Sequence, residues 1–207
     1  MSYDEHDAVT DEFYEQIRQQ VIEEFTVERL QSFYHKQPDV MRPAVNTIKE
    51  AKALLAAQRF APALVFSASA FELLLKSTLL RPVVYGLVHN DALAEILVNK
   101  VLGRQTDIDR FKDLLAGLFK TLAHVDLDSI CRPGSAQPLM KEAKAFQTKR
   151  DRILHAGAVC TSEEAESAYA IALAIYEQIV TPMIGALHLS IGDSGTIGLA
   201  VFTNRRT

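Results

Sequence analysis

An arginine, an aspartate and a histidine lie close together near the end of one predicted helix. Asp151 and His155 are four residues apart, about 40° on a helical wheel, so the carboxylate can orient the imidazole. Arg150 precedes His155 by five residues, about 140° around the helix. It can therefore reach the same pocket only through its long side chain, or through a neighbouring helix or subunit. This geometry favours a shared site.

The chemistry of these groups is suited to a phosphodiester. Gly157 is expected to end the helix and so to leave His155 in the last turn. There the negative end of the helix dipole favours imidazolium, which suits a group that both takes and gives a proton. Guanidinium is a natural partner for phosphate. The pair suggests attack of an RNA 2′-OH on its own phosphate, with His155 as general base or acid and Arg150 stabilising the phosphorane. No cofactor is expected.

RNA binding would require a local positive surface, because the formal net charge of the chain is −4. The predicted helix supplies one through four further cations, Lys141, Lys144, Lys149 and Arg152. The competing interpretation is a solvent-exposed last helical turn whose cations interact favourably with the helix dipole. An arginine and a histidine at the end of a basic helix more often form such a turn than an active site. Spacing alone does not separate the two.

The segment from Arg150 to His155 resembles the R-x(4–6)-H motif of the HEPN family, in which a polar residue usually follows the arginine, as Asp151 does here. The resemblance extends to the helix that carries Glu72 and Lys76, and to residues 162–165 after the motif. It covers about residues 44–183.

The resemblance implies a homodimeric helical bundle with the two motifs face to face. Active members are metal-independent endoribonucleases that leave a 2′,3′-cyclic phosphate, typically toxins or antiphage-defence effectors. RNA is then the substrate, a cognate antitoxin or defence protein is a possible partner, and Arg150, His155 and Asp151 are the catalytic residues. Other members serve as scaffolds or ligand binders, so a non-catalytic interaction module or a nucleotide-binding module is the alternative.

Glu72 is predicted to lie in the middle of an apolar helix, where a carboxylate normally needs a partner. Lys76, one turn further on, could provide it, and so could the site at Arg150 and His155. Glu72 is thus either half of a structural ion pair or a support for the site. Together with Lys76, Lys149 and Arg152 it completes the set of residues expected to support the site or to bind RNA.

The elements that must position these residues are helices, because helical spacing of apolar residues dominates the chain. We expect an all-α, antiparallel HEPN-like bundle over residues 41–189, with an N-terminal helical arm over 1–40 and a C-terminal tail over 190–207. Arg81-Pro82 is predicted to end the apolar third helix. The helices are predicted at about residues 10–35, 42–58, 60–80, 92–102, 107–122, 138–155 and from 162 past 179.

The tail has a different composition. The run from Gly195 to Phe202 is strand-like and needs a pairing partner, for which a second subunit is one possibility. The string Gly192-Asp-Ser-Gly195 resembles the surroundings of a protease nucleophile, but a helical chain lacks the framework for that chemistry. We interpret it as a turn.

Bulk composition is that of an ordinary globular protein, with 48% hydrophobic and 23% charged residues. Charged residues or proline interrupt both long apolar stretches, so no membrane helix is expected. The acidic N-terminus lacks the pattern of a secretory signal, which favours the cytoplasm. Cys131 and Cys160 are expected to be reduced. The histidines show no metal-ligand spacing, so no metal site is predicted.

Overall fold

The computed structural model describes residues 27–87, 112–124 and 126–199, and within these ranges the chain is mostly helical, which confirms the all-α prediction at that level. The predicted helical residues 10–26, 92–102 and 107–111, and the tail beyond residue 199, lie outside the described ranges. The elements are α1 (27–36), α2 (Arg42–Ala56), α3 (Phe60–Leu73), a π-helical turn (Leu74–Leu80), α4 (Arg81–Leu87), α5 (Lys112–Ala123), a 3-10 turn (Leu127–Ser129), α6 (Leu139–Ala156), α7 (Ser162–Ile175), a second π-helical turn (Tyr176–Val180), α8 (Thr181–Ala186), β1 (Leu189–Ile191) and β2 (Ile197–Leu199).

Helix α3 lies at the centre of the bundle and packs against α2, α6 and α7. Small buried residues such as Ala63 and Ala68 let these neighbours approach closely, while Phe71 fills the middle of the core. The continuous helices Phe60–Tyr85 and Ser162–Ala186 are long and apolar enough to cross a membrane. Half or more of each apolar stretch is buried inside the protein, as in the core helices of a soluble protein.

The helix that begins with α3 does not end at Arg81-Pro82, so the predicted end is wrong. It passes through the π-helical turn Leu74–Leu80 and continues as α4. In an α-helix the N–H of residue 82 would donate to the Thr78 carbonyl, but proline has no N–H. The hydroxyl of Tyr34 donates to that carbonyl instead. Burial raises the pKa of Tyr34 well above its usual value, so this hydroxyl keeps its proton at neutral pH.

A π-helical turn also precedes a proline in the helix that begins with α7. The second π-helical turn, Tyr176–Val180, directly precedes Thr181-Pro182, and the hydroxyl of Thr181 donates to the carbonyl of Tyr176. The two π-helical turns pack against each other in the core. Each long helix thus contains a widened, π-helical turn immediately before its proline and continues beyond it.

The described chain ends in an antiparallel hairpin in which β1 pairs with β2. The strand-like run therefore finds its partner within the same chain. The turn predicted at Gly192–Gly195 is confirmed. Gly195 has a φ of +80°, and a Cβ there would lie 2.8 Å from the side chain of Val45. Only glycine allows both this backbone and the close contact with α2.

Part of the segment assigned to the N-terminal arm is packed into the bundle. Leu30, Phe33 and Tyr34 of α1 are buried in the main core. The side-chain amide of Gln31 donates to the carbonyl of Leu187, beyond α8. Helix α1 therefore stabilises the end of the bundle formed by the two π-helical turns and the hairpin.

Candidate functional site

The site is built on the C-terminal half of α6, whose end agrees closely with the prediction. The helix ends at Ala156, and Gly157 follows with a left-handed φ of +61°. Five residues later α7 begins with a capping box. The hydroxyl of Thr161 accepts from the N–H of Glu164, and the Glu164 carboxylate accepts from the N–H of Thr161. Lys149 also pairs with Glu164. These contacts fix where α6 ends relative to α7.

Replacing Gly157 by alanine is expected to lower the unfolding free energy by about 1 kcal/mol, because a left-handed backbone costs an L-residue about 1–2 kcal/mol. An added Cβ would meet no atom within 4 Å, so the cost is conformational and not steric. Urea denaturation measures it.

Gly117→Ala is the matched control. Gly117 also has nothing within 4 Å of an added Cβ, but it lies inside α5 and its φ is not positive. Alanine is expected to raise the stability there by roughly 0.5–1 kcal/mol. Equal effects of the two substitutions would contradict the conformational explanation.

A buried ionic cluster occupies the interface between α6 and α3. Arg150 is only 7% exposed. Its Nη1 donates to Glu72 Oε2 at 2.7 Å, and its Nε and Nη2 donate to Asp151 Oδ1 at 3.0 and 2.8 Å. Gln147 Nε2 donates to Glu72 Oε1 at 2.6 Å. We call Arg150, Glu72, Asp151 and Gln147 the Arg150 cluster. Glu72 therefore has its ion-pair partner in Arg150, across the helix interface.

The guanidinium of Arg150 is held in a fixed orientation by two carboxylates, so one positive and two negative charges give the cluster a net charge of −1. Burial lowers the pKa of Arg150, but the hydrogen bond with Asp151 and the charge of Glu72 outweigh it, and the pKa rises above its usual value. Three of the five N–H groups that a guanidinium carries are used within the cluster. One N–H on Nη1 and one on Nη2 are not used there. These two N–H groups remain for a further acceptor, on a side chain that is 9% exposed.

His155 lies on the other side of α6, in its exposed last turn. The separation agrees with the angle expected from the spacing of Arg150 and His155. Two large apolar side chains close to it in sequence are also exposed, Leu154 at 57% and Val159 at 85%. The imidazole is therefore open to a ligand.

The other predicted site residues have different surroundings. Asp151 was expected to orient His155, but its Oδ1 accepts from Arg150, and within the described part of the chain no hydrogen bond joins it to His155. Lys76 is half-buried in the first π-helical turn, Lys149 pairs with Glu164, and Arg152 is exposed. In this structure Asp151 positions the arginine instead of the histidine.

Gln147 was missed by the sequence analysis. It is 7% exposed and links α6 to Glu72. Its spacing carried a signal, because it precedes Arg150 by three residues and so shares the buried face of α6. A polar residue at a core position of an amphipathic helix indicates a buried polar partner.

No protein-family model, curated protein or solved structure matches the chain. Over residues 27–87, 112–124 and 126–199, no group of three or more histidine, cysteine, aspartate or glutamate side chains is arranged to hold a metal ion. Cys131 and Cys160 are free thiols. The function therefore has to be argued from the Arg150 cluster and His155.

Proposed function

We propose that the protein is a metal-independent endoribonuclease of the HEPN type that acts as a homodimer. The observation that carries the proposal is a guanidinium whose charge and orientation are fixed by Glu72 and Asp151, on the same helix end that exposes His155. These are the two groups that phosphodiester transfer without a metal requires, a cation for the phosphorane and an acid–base group.

Dimerisation would bring the two kinds of group together. Arg150 and His155 lie on different sides of α6, so one copy does not place both on one phosphate. A two-fold axis near the end of α6 would bring two histidines and two arginines to one cleft. The exposed apolar side chains of Leu154 and Val159, close to His155 in sequence, support contact at this end, since apolar exposure at a polar site is typical of an interface.

In the proposed reaction one imidazole takes the proton from the 2′-OH of a ribose. The 2′-oxygen forms a bond to the adjacent phosphorus, and the bond from phosphorus to the 5′-oxygen of the next nucleotide breaks. The imidazolium of the second copy gives its proton to that 5′-oxygen. Arg150 donates to the non-bridging oxygens while charge accumulates on them. The products are a 2′,3′-cyclic phosphate and a 5′-hydroxyl. The cellular role that fits this activity is a cytoplasmic toxin or antiphage effector, acting beside an antitoxin or a defence partner.

Cleavage is expected to be insensitive to EDTA, because both the charge stabilisation and the proton transfer come from side chains. The measurement is the rate of cleavage of single-stranded RNA by the purified protein in EDTA and in Mg²⁺ at equal ionic strength, since salt alone changes RNA affinity. Equal rates within a factor of about 2 are expected by this account. A loss of activity in EDTA that Mg²⁺ or Mn²⁺ restores would contradict the proposal.

A second candidate function is a non-catalytic module that binds a protein or a nucleotide. The observation that favours it is the burial of Arg150, whose guanidinium already donates three N–H groups to the carboxylates of Glu72 and Asp151. In that case alanine at His155 would leave function intact. Binding of a mononucleotide without RNA turnover, weakened by replacement of Arg152, would support the nucleotide-binding form.

A further inference from the structure

The solvent face of α6 carries a line of polar and positive side chains. Its five members are separated by three or four residues, the spacing that stacks side chains along one face of a helix within about 80°. All five are exposed. We call this surface the α6 stripe; it consists of Lys141, Lys144, Thr148, Arg152 and His155.

The α6 stripe has no competing negative charge from its own helix. Of the two acidic residues of α6, Glu142 is buried and bound by Arg132 and Ser135, and Asp151 is bound by Arg150. Both carboxylates are thus bound by side chains that do not belong to the stripe.

Two cations of the stripe, Lys141 and Arg152, contrast with the neighbouring Lys149. Lys141 and Arg152 form no ion pair within the described part of the chain, whereas Lys149 lies off the stripe and pairs with Glu164. The stripe is therefore a concentrated positive surface on a protein whose net charge is −4. Such a surface attracts a polyanion locally, although the protein as a whole does not.

We propose that the α6 stripe binds the phosphate backbone of single-stranded RNA and leads the strand to His155. The choice of RNA as the ligand rests on the proposed function. The stripe runs about 21 Å from Lys141 to His155, at about 1.5 Å per residue. Its two cations that form no ion pair within the described residues, Lys141 and Arg152, can neutralise about two phosphates. The strand would thus enter along α6 and reach the acid–base group at the end of the helix.

Two features favour a single strand of any sequence. Attack by a 2′-OH requires the 2′-oxygen and the leaving oxygen to lie in line across phosphorus, and an A-form duplex does not hold them so. The stripe carries no phenylalanine, tyrosine or tryptophan side chain, and Phe146 of the same helix packs against the core. Binding is therefore electrostatic and not based on stacking, so it is independent of base identity and depends strongly on salt.

The test is the affinity of full-length protein for a fluorescent single-stranded 2′-O-methyl RNA, measured by anisotropy over a range of NaCl. This probe has no free 2′-OH, so the proposed reaction cannot cleave it and the measured affinity does not depend on that reaction. The double variant Lys141→Gln/Arg152→Gln is expected to bind at least about tenfold more weakly. Its plot of log affinity against log salt is expected to be less steep by about 1.4, at about 0.7 for each lost phosphate contact.

The matched control is Lys52→Gln/Lys120→Gln, which makes the same change in net charge on exposed residues of α2 and α5. It is expected to leave the salt slope unchanged. Equal weakening by the two double variants, or no weakening by the stripe variant, would overturn the inference. Tighter binding of poly-glutamate than of RNA to the stripe would also overturn it, in favour of an acidic protein partner.

The two proposals can fail separately. Stripe-dependent RNA binding by a protein that cuts no RNA would contradict the ribonuclease and support the stripe. If the protein cuts RNA, the stripe variant is expected to raise KM at least about tenfold with little change in kcat, because Lys141 and Arg152 bind phosphates other than the one that reacts. Cleavage with an unchanged KM would contradict the stripe alone.

Discussion

Replacing His155 by alanine is expected to reduce RNA cleavage by about 10²–10⁴-fold, the usual contribution of a positioned acid–base group. The unfolding midpoint is expected to stay unchanged, because the side chain is exposed. The measurements are single-turnover cleavage of a labelled RNA and thermal unfolding of the same samples. Loss of activity with retained stability separates a chemical role from a structural one.

His35→Ala is the matched control, since His35 is also an exposed histidine but lies on α1. It is expected to cleave at the wild-type rate. Full activity of His155→Ala would contradict the catalytic role of the motif, and equal loss in both variants would show that the loss is not specific to the motif.

Replacing Glu72 by alanine is expected to lower the unfolding free energy by about 3 kcal/mol, because it removes one partner of a buried ion pair. The side chains of Arg150 and Glu72 are 9% and 13% exposed, so water cannot replace the lost carboxylate. Gln147 loses its acceptor as well. The measurement is urea denaturation at constant ionic strength.

Asp151→Ala is the internal comparison. The side chain of Asp151 is 48% exposed, so water can solvate the freed guanidinium and the expected cost is about 1 kcal/mol or less. A double replacement, Glu72→Leu with Arg150→Met, is expected to recover most of the stability, as apolar replacement of a whole buried pair often does. It would still lack RNA cleavage. Equal costs of Glu72→Ala and Asp151→Ala would contradict the assigned burial of the cluster.

The local signals in the sequence located the helix end and the turns well. Gly157 ends α6 because it alone adopts the left-handed backbone freely, and Thr161 with Glu164 begins α7 through a reciprocal cap. These rules involve residues only a few positions apart, so they can be applied to the sequence without knowledge of the fold. The angle between Arg150 and His155 could be predicted for the same reason.

Contacts between distant residues could not be predicted in this way. Pro82 ends a helix by local rules, but Tyr34, 44 residues before Thr78, supplies the missing donor, and the helix continues. The partner of Glu72 was left open between Lys76 and the site, because the 78-residue separation from Arg150 is closed only by the packing of α6 on α3. A helical wheel likewise placed Asp151 near His155. It could not show that the Asp151 carboxylate binds Arg150 instead, because that depends on the three-dimensional positions of the side chains.

The most direct test of the central claim is the chemistry of the RNA ends produced by the purified protein in EDTA. Fragments from the wild-type protein are expected to carry 2′,3′-cyclic phosphates and 5′-hydroxyls when analysed by mass spectrometry, and the same RNA with 2′-O-methyl riboses is expected to stay intact. Fragments with 3′-hydroxyls and 5′-phosphates, or cleavage of the 2′-O-methyl RNA, would contradict attack by the 2′-OH and with it the proposed function.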